Sequence, residues 1–185
     1  DYILSDSAIF KRNSSVNFSP QDLSQKEIDS IIQASIWAPS SRNLQPWKLI
    51  AVKRSSDRFD RLVKAMSEGN QEWAQNSGLI IIFCTENDQN ISPKTFLNIG
   101  FSGQNAMIRS AELGLESHPI GGWDEDKVKE ISNIPSDSQV AFLLVIGKEG
   151  KIDMLSKELL EKHNKQRERN PLDINFNFDE WGKNF

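Results

Sequence analysis

The stretch Ala38-Pro39-Ser40-Ser41-Arg42-Asn43-Leu44-Gln45-Pro46-Trp47 constrains this chain most. A helical pattern ends at it and an apolar strand pattern begins after it. Proline fixes φ, lacks an N–H and pushes the residue before it out of the helical region. Between Pro39 and Pro46 the backbone is therefore neither helix nor sheet ladder. Ser40, Ser41, Asn43 and Gln45 supply hydroxyls and amides that both donate and accept hydrogen bonds. A helix stop followed by a turn accounts for the prolines alone. It leaves unexplained a rigid polar elbow set between two apolar elements.

The flanking patterns define those elements. Ser24-Gln25-Lys26-Glu27 is a capping box, in which Ser24 and Glu27 satisfy each other's free amides. Ile28, Ile31, Ile32 and then Ser35 or Ile36 share one helix face until Pro39. Trp47–Val52 reads as a strand. Asp57 is placed to cap a helix with Phe59, Leu62, Val63 and Met66 on one face, ending at Gly69. Leu79–Thr85 is apolar throughout, the mark of a central strand.

Ser92-Pro93 opens a long helix that Gly114 closes. Inside it Gly100, Gly103 and Ala106 recur at spacing three. A mid-helix glycine costs about 1 kcal/mol relative to alanine. Close approach of another group offsets that cost, so this helix belongs at the domain centre or at a subunit interface. Asp124 caps a short helix carrying Val128 and Ile131, stopped by Pro135. Gln139–Gly147 is a third apolar strand, and residues 153–166 read as a charged amphipathic helix. Pro171–Phe178 alternates apolar and polar residues, an extended pattern. Phe176, Phe178, Trp181 and Phe185 need a surface, which a second subunit supplies.

Composition narrows the function. With 185 residues the expectation is one domain, residues 1–185, with about 150–185 a C-terminal extension lying on a partner subunit. A net charge of −4 with no face rich in Lys and Arg argues against a nucleic-acid partner. No apolar run reaches membrane-spanning length, so no membrane partner and a cytoplasmic location are expected. The chain opens on Asp1 rather than methionine, which leaves an upstream segment open. Cys84 is the one cysteine, so no disulfide pairs within the chain. His118 and His163 lack the company of a metal site. There is no phosphate-cradling Gly-rich loop after the first strand, no Gly-x-Ser-x-Gly and no Ser/His/Asp set. Few nucleophiles and acid/base pairs remain, as in an enzyme whose cofactor carries the reaction. The five tryptophans serve as core packing or as walls for a flat aromatic ligand.

The elbow resembles the Pro-Ser-Ser-x-Asn-x-Gln-Pro-Trp string of the nitroreductase family of flavin enzymes. Lys11-Arg12-Asn13-Ser14-Ser15-Val16-Asn17-Phe18 is similar to that family's Arg-Arg-Ser-Val-Arg-x-Phe type string. Arg12 matches its first Arg and Ser14 its Ser. Asn13 replaces the second basic residue, and Val16 stands where a cation usually lies near the flavin N1/O2 edge. His118-Pro119-Ile120-Gly121-Gly122-Trp123-Asp124 resembles a Pro-x-Gly-Gly segment. Arg167-Glu168-Arg169-Asn170-Pro171-Leu172-Asp173 resembles a basic C-terminal segment, and Asn70 is the weakest match.

The resemblance implies an α+β fold, a mainly antiparallel sheet flanked by helices, in an intertwined homodimer. It implies FMN held by Arg12, Asn13, Ser14, Pro39, Ser40, Ser41, Asn43, Asn70, Pro119, Ile120, Gly121, Gly122, Arg167 and Arg169. In it the arginines take the phosphate and the Gly121 amide faces flavin N5. No residue is assigned as a catalytic acid or base, and no metal is expected. The implied reaction passes electrons from NAD(P)H through FMN to a nitroaromatic, quinone or similar small-molecule acceptor in two steps. The alternatives are a flavin-scavenging protein without turnover, a specialised flavin reductase or dehalogenase with a lid at Ser67–Gln75 or 148–170, and a structural dimer without flavin.

Overall fold

The computed structural model describes residues 4–86 and 91–182; Phe185, among the aromatic residues read in the tail, lies outside them. Helix α1 (Ala8–Lys11) starts where the Ser7 hydroxyl accepts from the Phe10 amide. Strand β1 (Phe18–Ser19) follows. Helix α2 (Gln25–Ile36) opens with the expected capping box: Ser24 N–H donates to Glu27 Oε2 at 2.7 Å, and Glu27 N–H to Ser24 Oγ at 3.3 Å. Its buried face is Ile28, Ile31 and Ser35, while Ile36 is exposed. The elbow forms a single 3₁₀ turn, Ser41–Asn43, and leads into β2 (Trp47–Lys53).

The next stretch departs from the sequence pattern. Helix α3 (Phe59–Ala65) is preceded by Arg58, not capped by Asp57, and ends at Met66 instead of Gly69. The reason is tertiary. Met66 turns extended and bridges Trp123, with Asp124 N–H donating to Ala65 O and Ser67 N–H to Gly122 O. Those bonds satisfy the backbone that another helical turn would have used. Gly69 then falls inside a separate helix, α4 (Glu68–Ala74).

Strand β3 (Leu79–Thr85) is buried at every residue, and α5 (Pro93–Glu112) ends with Gly114 at φ +70°. Strand β4 (Glu116–Ile120) was not expected, because His118-Pro119 breaks the alternation that marks a strand. Proline is tolerated in strands mainly at sheet edges. Gly121 and Gly122 beyond it are not in the left-handed region. Helix α6 (Glu125–Ser132) is capped by Asp124, whose Oδ1 accepts from Lys127 N–H at 3.1 Å. Strand β5 (Val140–Glu149) comes next.

The C-terminal third differs more. Residues 153–166 do not form one helix; a 3₁₀ turn at Ile152–Met154 precedes α7 (Lys157–Asn164), which Ser156 caps. The tail contains a short helix, α8 (Leu172–Asn175), where alternation predicted extended chain. An extended segment needs a neighbouring strand for its N–H and C=O groups. Here the tail bonds to itself, Phe176 N–H to Leu172 O at 2.8 Å.

The sheet order is β1-β5-β3-β2, with β4 also on β5, and every strand pairing is antiparallel. Ile80, Ile82, Cys84, Leu143 and Val145 face a core closed by α3, α4 and α6. Leu79, Ile81, Phe83, Leu144 and Ile146 face the opposite core, under α2 and α5. Two-sided burial is why these strands read as unbroken apolar runs. The fold is thus α+β, with helices on both faces of an antiparallel sheet. Gly103 seats α5 on it: a Cβ there would collide with the Phe142 ring, which stacks on Phe83 at 4.5 Å. No helix among the described residues is long and apolar enough to cross a membrane.

Candidate functional site

Residues 12–17 leave α1 and run beside β4. Ser14 lies opposite Ser117, and Ser15 N–H donates to Ser117 O at 3.2 Å. Asn17 pins the far end, its Nδ2 donating to Gly150 O at 2.8 Å. From the other side come the last turn of α7 and the chain that follows it. Arg167 Nη1 donates to Phe10 O and Arg12 O, at 2.7 and 2.8 Å, and its guanidinium lies over the Phe10 ring. A cavity of about 650 Å³ is left between the two segments.

That cavity is strongly basic within an acidic chain. Arg12, Lys162, Lys165, Arg167 and Arg169 line it, against the single carboxylate of Glu168. Among the described residues none of the three arginines is ion-paired to a carboxylate. Burial, and then the nearby charges of Arg167 and Arg169, lower the Arg12 pKa. Cations gathered without counter-charge repel one another, and an anion relieves that repulsion. Arginine's planar fork suits a phosphate or carboxylate in particular.

Behind the basic rim lies a polar layer. Asn13 lines the cavity, and its Oδ1 is buried without a hydrogen-bond partner among the described residues. Glu116, the first residue of β4, has the Ser15 and Asn13 side chains nearby, which favour its charged form. Burial nevertheless raises its pKa. His118 stacks on Trp73 with centroids 4.3 Å apart, and its Nδ1 bonds Ser15 O at 2.8 Å. Burial lowers its pKa, so the ring is held neutral.

At the other end of β4 a second group converges. The Gly122–Ser67 backbone bond brings α4 alongside, and Asn70 Nδ2 donates to Ser67 Oγ at 2.9 Å. A Cβ on Gly122 would sit 3.0 Å from Ser67 Oγ, so the two segments pack closely here. Gly121 is exposed with open space beside it. Ile120 points its side chain into the core, leaving only its backbone available to a ligand. From Ser117 to Gly121 a strand spans about 13 Å.

The structure therefore joins Arg12, Asn13, Ser14, Arg167 and Arg169 around one cavity. It joins Asn70 to Gly122, with Pro119, Ile120 and Gly121 beside them. It does not bring Pro39, Ser40, Ser41 or Asn43 to the cavity lining. The elbow stands out from the chain, with Pro39, Ser41 and Asn43 exposed. Arg42, Asn43 and Gln45 all take positive φ, near +53°, +56° and +48°. Gln45 N–H to Ser40 Oγ at 3.0 Å and Asn43 N–H to Ser40 O at 3.0 Å hold that strained turn. Beside it Trp37 and Leu44 are 84% and 69% exposed.

The sequence reading missed Lys162 and Lys165. The two lysines pass for the solvated end of a charged helix. Their signal is the basic run they form with Arg167 and Arg169.

The profile of the nitroreductase family matches residues 9–80 and 64–148. Protein DrgA of Synechocystis sp. is 25% identical over 177 residues, covering 76% of this chain and 82% of that protein. The FMN reductase (NADPH) of Bacillus subtilis is 25% identical over 160 residues, covering 75% and 63%. A solved structure described as an oxidoreductase containing FMN superposes with a TM-score of 0.87 at 23% identity, covering 96% of this chain and 93% of that one.

Proposed function

This chain belongs to the nitroreductase family, and on that premise we propose that it is an FMN-dependent oxidoreductase passing electrons from NAD(P)H to a small conjugated acceptor. The observation that carries the reading is the cluster of Arg12, Arg167 and Arg169 around a cavity without matching carboxylates. A phosphate monoester brings about −1.5 to −2 charges and three acceptor oxygens. The buried Asn13 Oδ1 wants a donor, which a polyol chain offers. The residues present thus fit a flavin mononucleotide.

Bound FMN supplies hydride transfer between a reduced nicotinamide and a nitroaromatic, quinone or similar acceptor. The chain's own residues bind and orient. Arg12, Arg167 and Arg169 hold the phosphate, and Ser14 and Asn13 the chain beside it. Asn70 and the open backbone at Gly121–Gly122 take the ring end, where glycine allows close approach. No side chain is assigned to move a proton.

Pro39, Ser40, Ser41 and Asn43 reach this site from a partner subunit in an intertwined, cytoplasmic homodimer. Support comes from apolar surface that one chain leaves bare: Trp37 and Leu44 beside the elbow, and Phe96, Leu97 and Phe101 along α5. Contiguous apolar surface of this kind marks an interface. The tail from about residue 150 packs on the partner, where a neighbouring strand edge such as that of β2 restores its extended form.

The test is the visible spectrum of protein loaded with FMN and desalted, before and after anaerobic NADH or NADPH. The expected outcome is retained flavin absorption that bleaches, and loss of the flavin on desalting from Arg12→Ala. Absent flavin in the wild type would overturn the reading. Flavin retained but never reduced would favour the scavenging alternative, which the apolar Val16 in the cavity wall supports.

A further inference from the structure

The two walls of the basic cavity are not built alike. Residues 12–16 are fixed by the fold: Ser15 N–H donates to Ser117 O, Val16 is buried, and Asn17 Nδ2 just beyond donates to Gly150 O. The opposite wall comes from α7 and the chain after it. Leu159 is the last buried residue there among the described ones, and residues 164–170 are all exposed. Among the described residues, no backbone N–H or C=O of residues 166–170 bonds to another backbone group. A segment without buried apolar residues or a backbone ladder has little to hold it in place. Arg169 bonds within the segment, its Nη1 donating to Glu168 O at 2.7 Å. Among the described residues 164–170, Arg167 alone reaches the body of the molecule by hydrogen bonds. Its Nη1 donates to Phe10 O at 2.7 Å and to Arg12 O at 2.8 Å, and its guanidinium carbon lies 5.2 Å from the Phe10 ring centroid. Bonds from a charged donor are about twice as strong as neutral ones.

We propose that Arg167 is a positioning residue, a latch that holds residues 164–170 as a strap across the phosphate end of the cavity, and that its grip sets how fast a phosphorylated ligand enters and leaves. The identity of that ligand rests on the FMN reading; the latch itself concerns the phosphate alone. Closing the strap brings Lys165, Arg167 and Arg169 up to Arg12, with Glu168 the one carboxylate in the lining. Like charges gathered there repel one another. A phosphate dianion cancels that repulsion and leaves the latch bonds unopposed. Nη1 is committed to the two carbonyls, which leaves Nε–H and the Nη2 hydrogens for the phosphate. Arg167 thus joins ligand to strap, and the phosphate it touches keeps the strap closed.

The experiment follows FMN entry and release by stopped-flow quenching of flavin fluorescence in wild type, Arg169→Ala, Arg167→Lys and Phe10→Ala. Losing a residue that only binds phosphate speeds release and does not speed entry. Losing a latch speeds both. Arg167→Lys keeps the charge but not the planar fork or its stack, and its on-rate and off-rate each rise about tenfold. Phe10→Ala keeps every charge and removes only the ring under the latch; both rates rise about threefold. Arg169→Ala raises the off-rate alone. Trypsin reads the strap without flavin. Inorganic phosphate slows wild-type cleavage after Lys165, Arg167 and Arg169, riboflavin does not, and Arg167→Lys is cut faster. Faster release with unchanged entry in Arg167→Lys and Phe10→Ala makes Arg167 a plain phosphate ligand and overturns the proposal, as does cleavage that phosphate leaves unchanged. Phe10→Ala decides it even where Arg167→Lys does not fold. A wild type that fails to bind FMN while phosphate still protects the strap refutes the flavin reading and upholds the latch.

Discussion

His118 shows how one residue can tie packing to pH. Its ring is sandwiched into the core against Trp73, which also stacks on Phe18, and its Nδ1 is committed to the Ser15 carbonyl. Burial first, and then the charge of Arg12, disfavour the imidazolium. The folded pKa is therefore below the ordinary 6.5. Between the two values the unfolded chain binds the proton and the folded chain does not. Stability from this group is thus whole above about pH 6.5 and is lost as pH falls toward the folded value. Glu116 runs the other way: its raised pKa costs stability as pH climbs past 4.5, so the two groups slope in opposite senses. Urea denaturation against pH checks this. The wild-type midpoint should drop below pH 6.5, and His118→Phe, which keeps the stack, should lose that part of the slope. An unchanged slope in His118→Phe would place the proton uptake elsewhere.

Elements of this fold were legible where burial alone decides them. Leu79–Thr85 emerged with the bounds the apolar run gave, because both faces of β3 are covered and every position votes the same way. The Ser24 capping box and the long helix were equally plain, since caps and helix periodicity are local. What was hidden depends on partners distant in sequence. Strand β4 exists because β5 and residues 14–15 flank it, and α3 stops at Met66 because Trp123 claims its backbone. The site divides the same way. The basic string and the glycines were readable as motifs, whereas Lys162 and Lys165 gain meaning only once the chain after α7 lies across residues 12–16. The α5 glycines illustrate both halves: their spacing announced a close approach, and the structure gives it to Gly103 alone. Gly103→Ala should therefore destabilise by about 1–3 kcal/mol despite alanine's better helix propensity, because the methyl must displace Phe142. A chemical-denaturation curve showing unchanged or higher stability would mean α5 does not rest on that ring.

At the scale of the whole molecule, one chain leaves two things unfinished. The elbow is strained and exposed, remote from the cavity lining, and the tail shows Leu172, Ile174, Phe176, Phe178 and Trp181 to solvent, the last at 98%. Fully burying a large apolar side chain is worth about 1.5–3 kcal/mol. Five such residues per chain offer more than the ordering of a short tail consumes, so a second copy is the economical way to cover them. The proposed homodimer makes a coupled prediction. A chain ending at Asn170 keeps Arg12, Arg167 and Arg169 but lacks the aromatic tail. Its dimer dissociation constant, measured by sedimentation, should rise more than a hundredfold. If Ser40 and Ser41 reach the flavin from the partner, flavin retention in the shortened chain should also become dependent on protein concentration. Full-strength dimerisation without residues 171–185 would remove the tail from the interface. Flavin held equally well by monomers would instead place the whole site within one chain, and leave the strained elbow without a ligand to explain it.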